Sequence, residues 1–403
     1  MPVPPYAPKP AVPRIVGVDV ARGLALLGMF SVHVFDAFDA TGSPSPAWMF
    51  AGGRSSATFA VTAGVGLAFT TGGRRPVTGR AATAAVAARA GVIALIGLLL
   101  GYASRAADLD VDVILTFYAL LFLIAIPLLG AGPRFLAGLS LFLAVGAPFA
   151  VHALRGVLPE PAFEGDPTLQ DVVTDPLGLA SDLLVHGGYP VLAWTAYLCA
   201  GLALGRLDLT SRKIASRLFR GGLALVAGVW LLSSLVLFRF GGLRHLWRAE
   251  FPGASRGEAL WDSPDGTTWW ALLSRAPHST TPFDLLITLG SAAAILGGAL
   301  LLTRSAPVAR ALTPLAAAGS MPLTLYTAHV LLLATGALSG SPGLLYAAMT
   351  TGALLFALAW RHVGRGPLET VVAEAARRCR EAVTPAQSPE PAETPARLSK
   401  HIE

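Results

Sequence analysis

The sequence predicts an all-α integral membrane protein, a bundle of about ten transmembrane helices with both termini in the cytoplasm. The chain has 403 residues, of which 54% are hydrophobic and only 13% are charged. Soluble domains carry nearer to a quarter charged residues. The mean hydropathy is +0.61. Apolar windows of about 20 residues, the length that crosses a bilayer as a helix, recur along the chain.

Ten such windows are present, and they are separated by charged or turn-forming segments. The second window is short. The fourth and fifth are joined by a tight turn at residues 130–133. We predict spans at residues 15–35, 56–71, 84–103, 112–130, 134–154, 186–206, 217–239, 283–303, 312–335 and 343–362.

The distribution of basic residues supports this topology. With a cytoplasmic N-terminus, the cytoplasmic segments before the tail hold 15 Lys and Arg, and the outside segments hold eight. Five of those eight lie in or beside one long loop, where the positive-inside rule is weak. Because the net charge of +6 is explained by topology, it does not indicate nucleic-acid binding, and the sequence has no nucleic-acid motif.

We divide the chain into a cytoplasmic arm at 1–14, a transmembrane domain at 15–365 and a cytoplasmic tail at 366–403. Two long extracytoplasmic loops, 155–185 and 240–282, are expected to fold over the outer mouth. The tail begins as a possible amphipathic helix and ends in a Pro-rich, charged stretch that we expect to be disordered. The first apolar segment lacks a convincing cleavage site, so we expect a retained span and a plasma-membrane location.

The first span carries the most informative polar residues. Asp19, Arg22 and His33 lie in an otherwise apolar segment and, by their spacing, share one helical stripe. Ionisable groups at such positions are costly and usually face a protein or water-filled interior. At 1.5 Å per residue, His33 lies roughly 21 Å along the axis from Asp19. One helix face therefore places polar chemistry near both sides of the bilayer.

Four further residues are candidates for function. His329 lies within a predicted span, and His186 opens another after flexible glycines. Histidine is the commonest general base at neutral pH. Arg54 lies on the polar rim of the second span, and Arg89 lies near the inner end of the third.

Each candidate also has a structural explanation. A buried histidine often bonds a neighbouring carbonyl, and Asp19 and Arg22 would neutralise each other as a packing pair. Arg89 would extend to the headgroups. The sequence has no zinc, Walker or nucleophile-elbow motif, so we expect no metal or redox cofactor. Intramembrane charges also suit a proton-coupled transporter, although no internal repeat supports one. A non-catalytic assembly or sensor protein stays open.

Five segments resemble bacterial proteins related to heparan-α-glucosaminide N-acetyltransferase and to the YeiB-like family: RIVGVDVARGLALLGMFSVHV, GRSSATFAVTAGVGLAF, YPVLAWTAYLCAGLALGR, GSMPLTLYTAHVLL and RGPLE. The resemblance covers most of residues 14–370. The spacing of Asp19, Arg22 and His33 is also similar to the first helix of type 3 membrane acyltransferases, in which the histidine is held to be essential.

The resemblance implies a membrane acyltransferase that moves an acyl group, expected to be acetyl, from cytoplasmic acyl-CoA to an extracytoplasmic acceptor. The acceptor would be a glycan amine or hydroxyl, or a lipid-linked sugar. Asp19, Arg22 and Arg89 would contact acyl-CoA, and His33 would be a general base or transient acyl carrier. Further catalytic groups would come from His329, Arg54 and His186. The expected partners are the bilayer and both substrates, and a second copy of the chain is a further candidate.

The sequence departs from the lysosomal enzyme at one important position. That enzyme has its active-site histidine downstream of the first span, in the first luminal segment. This chain has no histidine between residues 34 and 151. If it is an acyltransferase, His33, His329 or His186 must therefore act instead.

Overall fold

The computed structural model describes residues 14–384, and every regular element within them is helical. Short 3₁₀ or π turns cover Ile126–Leu128, Asp182–His186, Leu235–Arg239 and Trp269–Leu273. The α-helices are α1 (Val16–Val34), α2 (Pro46–Ala51), α3 (Arg54–Thr70), α4 (Arg80–Ala106), α5 (Leu115–Ala125), α6 (Pro133–Arg155), α7 (Leu169–Thr174), α8 (Pro176–Ser181), α9 (Val191–Gly205), α10 (Arg212–Ser234), α11 (Gly242–Glu250), α12 (Arg256–Trp261), α13 (Pro282–Leu302), α14 (Ala306–Ala311), α15 (Thr313–Gly319), α16 (Pro322–Ala334), α17 (Pro342–Trp360) and α18 (Pro367–Ala382).

Six helices within the described residues are long and apolar enough to cross a membrane: α1, α4, α6, α10 with its π turn, α13 and α17. The number rises to eight if two bent pairs are each one span, namely α8 with α9 and α15 with α16. The other two predicted spans are α3, with 17 residues, and the short apolar helix Leu115–Leu128. The helical membrane class is confirmed, but the count of ten is not.

Helix α1 lies inside the bundle and packs against α3, α13, α15 and α17. Its contact with α15 requires glycine on both helices. A Cβ on Gly23 would overlap the carbonyl oxygen of Leu315, and a Cβ on Gly319 would overlap that of Asp19. Small residues allow the two backbones to approach closely, as they do in membrane helix pairs. This approach places the end of α15 beside the polar stripe of α1.

The predicted ninth span is broken between α15 and α16, and the two halves are bent by 84°. Pro322 occupies the start of α16, and Met321 before it has φ −133° and ψ 51°, outside the helical region. A residue that precedes proline is sterically pushed out of the helical conformation, which accounts for the break. The half-helix α16 carries His329.

The tail helix α18 packs against α4 and contacts α16, so it is part of the bundle. The domain boundary at residue 365 stays a prediction. The predicted amphipathic helix is present as α18. The predicted disorder at the end of the tail and the N-terminal arm before residue 14 lie outside the described residues.

Candidate active site

Two histidines from distant parts of the chain form a hydrogen-bonded pair. The Nδ1 atom of His33 lies 3.0 Å from the Nε2 atom of His329, and the rings stack with their centroids 5.2 Å apart. His33 comes from the last turn of α1, and His329 is buried in α16. Phe30 and Tyr326 pack against the His329 ring at 4.7 and 4.8 Å between centroids. Two predicted site residues thus meet.

The surroundings of His329 indicate which nitrogen carries each proton. Its Nδ1 atom is buried without a partner of good geometry. The groups it approaches are carbonyl oxygens one turn earlier, at Leu325 and Tyr326. A lone pair on Nδ1 of His329 would be repelled by these oxygens, so this nitrogen carries the hydrogen. The Nε2 atom of His329 therefore accepts the hydrogen bond from Nδ1 of His33. The assignment leaves the Nε2 atom of His33 as a free acceptor.

Tyr326 ties the histidine pair to the segment that precedes α5. Its buried hydroxyl accepts a hydrogen bond from the amide of Ile114 at 3.2 Å and approaches the carbonyl oxygen of Asp112 at 3.5 Å. Both contacts join α16 to a loop 212 or more residues away. The orientation of α16 is thereby held at this end, beside the pair.

A third histidine, His278, lies near the pair and was not among the predicted site residues. Its Nε2 atom accepts a hydrogen bond from the amide of Gly53 at 3.2 Å, beside the start of α3. Trp48 stacks on its ring and Tyr189 meets it edge-on, both at 5.8 Å. It is close enough to His33 for positive charges on the two rings to repel each other.

The backbone conformation and the pKa of His278 are both unusual. It has φ +62°, a left-handed conformation rarely adopted by residues other than glycine and often found at functional sites. Burial lowers the pKa of His278 to about 4, so the ring is neutral at pH 7. Because Nε2 accepts, the proton is on Nδ1. The sequence shows a histidine in a long loop, and only the fold brings that loop to α1.

A cavity of about 340 Å³ lies near the other end of α1. We call it the arginine cavity, because Arg14, Arg22, Arg89 and Arg365 line it together with one carboxylate, Glu369. Its apolar walls come from α3, α4, α5 and α18. Arg89 has both Arg365 and Arg380 nearby, so positive charge dominates. Two of the three residues predicted to contact acyl-CoA therefore share this cavity.

Asp19, the third of those residues, does not line the arginine cavity. It pairs with Arg22 at 3.4 Å, as the sequence predicted. Arg22 also donates to the carbonyl oxygens of Gly319, at 3.2 Å, and Thr62, at 3.1 Å. The carbonyl of Gly319 is at the end of α15, where oxygen atoms lack helical partners. Arg22 therefore holds α1, α3 and α15 together at the break as well as facing the cavity.

The opposite side of the same break is held by Glu369 of α18. Its carboxylate accepts hydrogen bonds from the amides of Leu323 and Thr324, at 2.7 and 3.2 Å, and from the Thr324 hydroxyl at 2.6 Å. These amides are in the first turn of α16, where a negative charge is favoured. The broken helix thus has a cation at the end of α15 and an anion at the start of α16.

Within residues 14–384, no hydrogen bond joins Arg54 or His186 to the histidine pair. Arg54 donates to the backbone carbonyls of Met49, at 2.9 Å, and Gly52, at 3.4 Å. The two ring nitrogens of His186 face the hydroxyl of Ser181, at 2.9 Å, and the carbonyl of Arg155, at 3.3 Å. Both side chains are thus engaged in local contacts that support their loops.

Residues of this chain match the model of a known family. The family described as heparan-alpha-glucosaminide N-acetyltransferase, catalytic, matches residues 14–236, which is more than half of the chain. The matched region includes His33, Arg22 and Arg89 but ends before α16 and α18. No curated protein and no solved structure matches the chain.

Proposed function

Because the chain belongs to the heparan-alpha-glucosaminide N-acetyltransferase catalytic family, we propose that it moves acetyl from cytoplasmic acetyl-CoA to an extracytoplasmic amine or hydroxyl. The acceptor would be a glycan or a lipid-linked sugar at the cell membrane. The observation that carries the proposal is the 3.0 Å contact between His33 and His329. It supplies an oriented base in the half of α1 that is predicted to face outward.

The arginine cavity is the proposed donor site. Coenzyme A carries several phosphate charges, and arginine binds phosphate oxygens with paired donors. Arg14, Arg89 and Arg365 form no ion pair within 4.0 Å among residues 14–384, which leaves them available for phosphate. The eleven helical steps from Arg22 to His33 span about 16.5 Å of helix. The narrow pantetheine arm would have to cover this distance through the bundle.

In the proposed reaction, the Nε2 atom of His33 takes the proton of the acceptor as its nitrogen or oxygen attacks the thioester carbonyl. The hydrogen bond to His329 keeps the His33 ring oriented and keeps hydrogen on Nδ1. When the carbon–sulfur bond breaks, the proton on Nε2 passes to the departing thiolate. Such positioned base catalysis contributes about 10²–10⁴-fold in rate.

His278 is a better candidate than Arg54 for stabilising the negative oxygen of the tetrahedral intermediate. Its neutral ring, with a pKa of about 4, presents an Nδ1–H donor because Nε2 already accepts from Gly53. Donors fixed in advance lose little energy in reorganising when charge develops. One guanidinium nitrogen of Arg54, Nη1, already donates hydrogen bonds to backbone carbonyls.

The test measures CoA release by the purified full-length protein with acetyl-CoA and an amino sugar. His33→Ala is expected to lose 10²–10⁴-fold in kcat. His362→Ala, an exposed histidine after α17, is the matched control and should stay within about twofold. Full activity of the His33→Ala variant would show that His33 is not the catalytic base.

One feature favours a second candidate, a proton-coupled transporter. Transporters often bind substrate at the ends of broken membrane helices, and α15 and α16 form such a break. Here, however, Arg22 and Glu369 already occupy the two ends. Proton-coupled current in liposomes without thioester turnover would support transport instead.

A further inference from the structure

A second large cavity lies away from the histidine pair, in the loop after α10. We call it the loop cavity. It has a volume of about 660 Å³, within the range of small-molecule sites, and is lined by Arg244, Arg248, Arg256, Trp247 and Phe251, among others. The α11 and α12 segments that form it pack around a small apolar cluster of their own, separate from the bundle core. Nothing in the proposed acetyl transfer uses this cavity.

The three arginines of the loop cavity are not neutralised by protein carboxylates. Within residues 14–384, none of them has an acidic oxygen within 4.0 Å. The acids of the same segment are engaged elsewhere. Glu250 accepts from the amides of residues 266–268, and Glu258 accepts from the amide of Ser255. The cavity therefore carries a concentrated positive charge.

Aromatic side chains give the loop cavity an apolar wall. The guanidinium carbon of Arg256 lies 5.6 Å from the centre of the Trp247 ring, which helps to hold that charge at the rim. Phe251 also lines the cavity and is buried. Tryptophan is enriched where proteins meet the lipid headgroups. A ligand with both a negative group and an apolar portion would match these walls.

The loop cavity lies beside the end of the membrane-spanning α10. Phe238 lines it and belongs to the π turn that ends the membrane-spanning α10. Leu235, Phe238 and Phe240 are 51%, 55% and 75% exposed, so this end of α10 presents apolar side chains outward. Phe238 thus borders both the arginine-lined cavity and the exposed apolar end of α10.

We propose that the loop cavity binds the phosphate headgroup of an anionic glycerophospholipid from the adjoining leaflet. The arginines contact the phosphate and any second negative group. The acyl chains extend along the exposed end of α10. This site is independent of the proposed acetyltransferase activity.

The test uses the full chain in nanodiscs of phosphatidylcholine with a trace of photoreactive lipid, labelled near the headgroup. Phosphatidylglycerol is expected to label the peptide 237–256 at least fivefold more than phosphatidylcholine does. The triple variant Arg244→Gln/Arg248→Gln/Arg256→Gln should lower this labelling about tenfold. The control, Arg212→Gln/Arg217→Gln/Arg220→Gln at the other end of α10, should not change it.

Three outcomes would overturn the proposal. They are equal labelling by the two lipids, unchanged labelling in the triple variant, and complete competition by millimolar inorganic phosphate, which would assign the cavity to a soluble anion. All three arginines are exposed, so the triple variant should melt at the wild-type temperature. If it does not, Arg244→Gln and Arg248→Gln are measured singly, each with an expected severalfold loss of labelling.

Discussion

At the scale of single residues, the functional argument depends on how two histidine rings share protons. His329 is buried at 3% exposure with its Nδ1 atom toward carbonyl oxygens, so it acts on His33 as an acceptor. It is a positioning residue, and His33 is the proposed base. The same logic, in which a second group fixes the tautomer of a catalytic histidine, operates in catalytic triads.

Replacing His329 separates these roles. Leucine at 329 removes the acceptor for the Nδ1–H of His33, so kcat should fall about 10²-fold, as for a base that has lost its orientation. Glutamine can place an amide oxygen near the former Nε2 position and should retain more activity. Steady-state kinetics with acetyl-CoA test this, with KM expected to change little. Equal activity of His329→Leu and His329→Gln would contradict the assignment.

The lowered pKa of His278 predicts how the stability of the fold depends on pH. Burial lowers its pKa to about 4, whereas the unfolded residue titrates near 6.5. Between these values only the unfolded chain binds the proton, so stability falls as the pH drops from 7 to 5. His278→Gln should show a smaller loss of melting temperature over this range than wild type does. His245→Gln, at an exposed position on α11, is the control and should follow wild type.

At the scale of secondary-structure elements, the contact between α1 and α15 determines where the broken helix lies. Gly319→Ala would push a Cβ into the carbonyl oxygen of Asp19 and against the backbone nitrogen of Gly23. We expect a destabilisation of about 1–3 kcal/mol, the usual cost of overpacking. Gly352→Ala in α17 is the control, since no atom lies within 4 Å of its Cβ. Thermal melting in detergent compares the two, and equal melting temperatures would contradict the close approach.

The junction of α16 and α18 gives a second prediction at this scale. Glu369→Ala removes the acceptor of three hydrogen bonds at the start of α16. Loss of a cap costs about 0.5–2 kcal/mol, and a displaced α16 should also lower kcat through His329. Glu374→Ala, which breaks only exposed ion pairs of α18, should leave the melting temperature close to that of wild type. A Glu369→Ala protein with wild-type stability and kcat would show that α18 is a passive tail.

Part of this architecture could be predicted from the sequence, because the signals are local. Hydropathy locates the membrane helices, and the three- and four-residue spacing places Asp19, Arg22 and His33 on one stripe. The folding of α18 onto α4 depends on contacts between distant segments. His278 joins the site through a hydrogen bond across 225 residues, which no periodicity in one sequence reveals.

At the scale of the whole molecule, α1 connects two chemically different regions. The arginine cavity is near the Asp19 end, and the histidine pair with His278 is near the other. The basic residues predict that the arginine end faces the cytoplasm. A thioester donor and its acceptor would then approach from opposite sides of the membrane, because CoA is too polar to cross the bilayer. The central claim is this transfer of acetyl between compartments.

Sealed liposomes containing the purified protein in one orientation test this claim most directly. Radiolabelled acetyl-CoA is added on the side of the arginine cavity, and an impermeant amino sugar is enclosed on the other side. The account predicts labelled acetylated sugar on the acceptor side, with released CoA confined to the donor side, and loss of both in His33→Ala. Product formed only when both substrates share one side, or formed equally by His33→Ala, would contradict it.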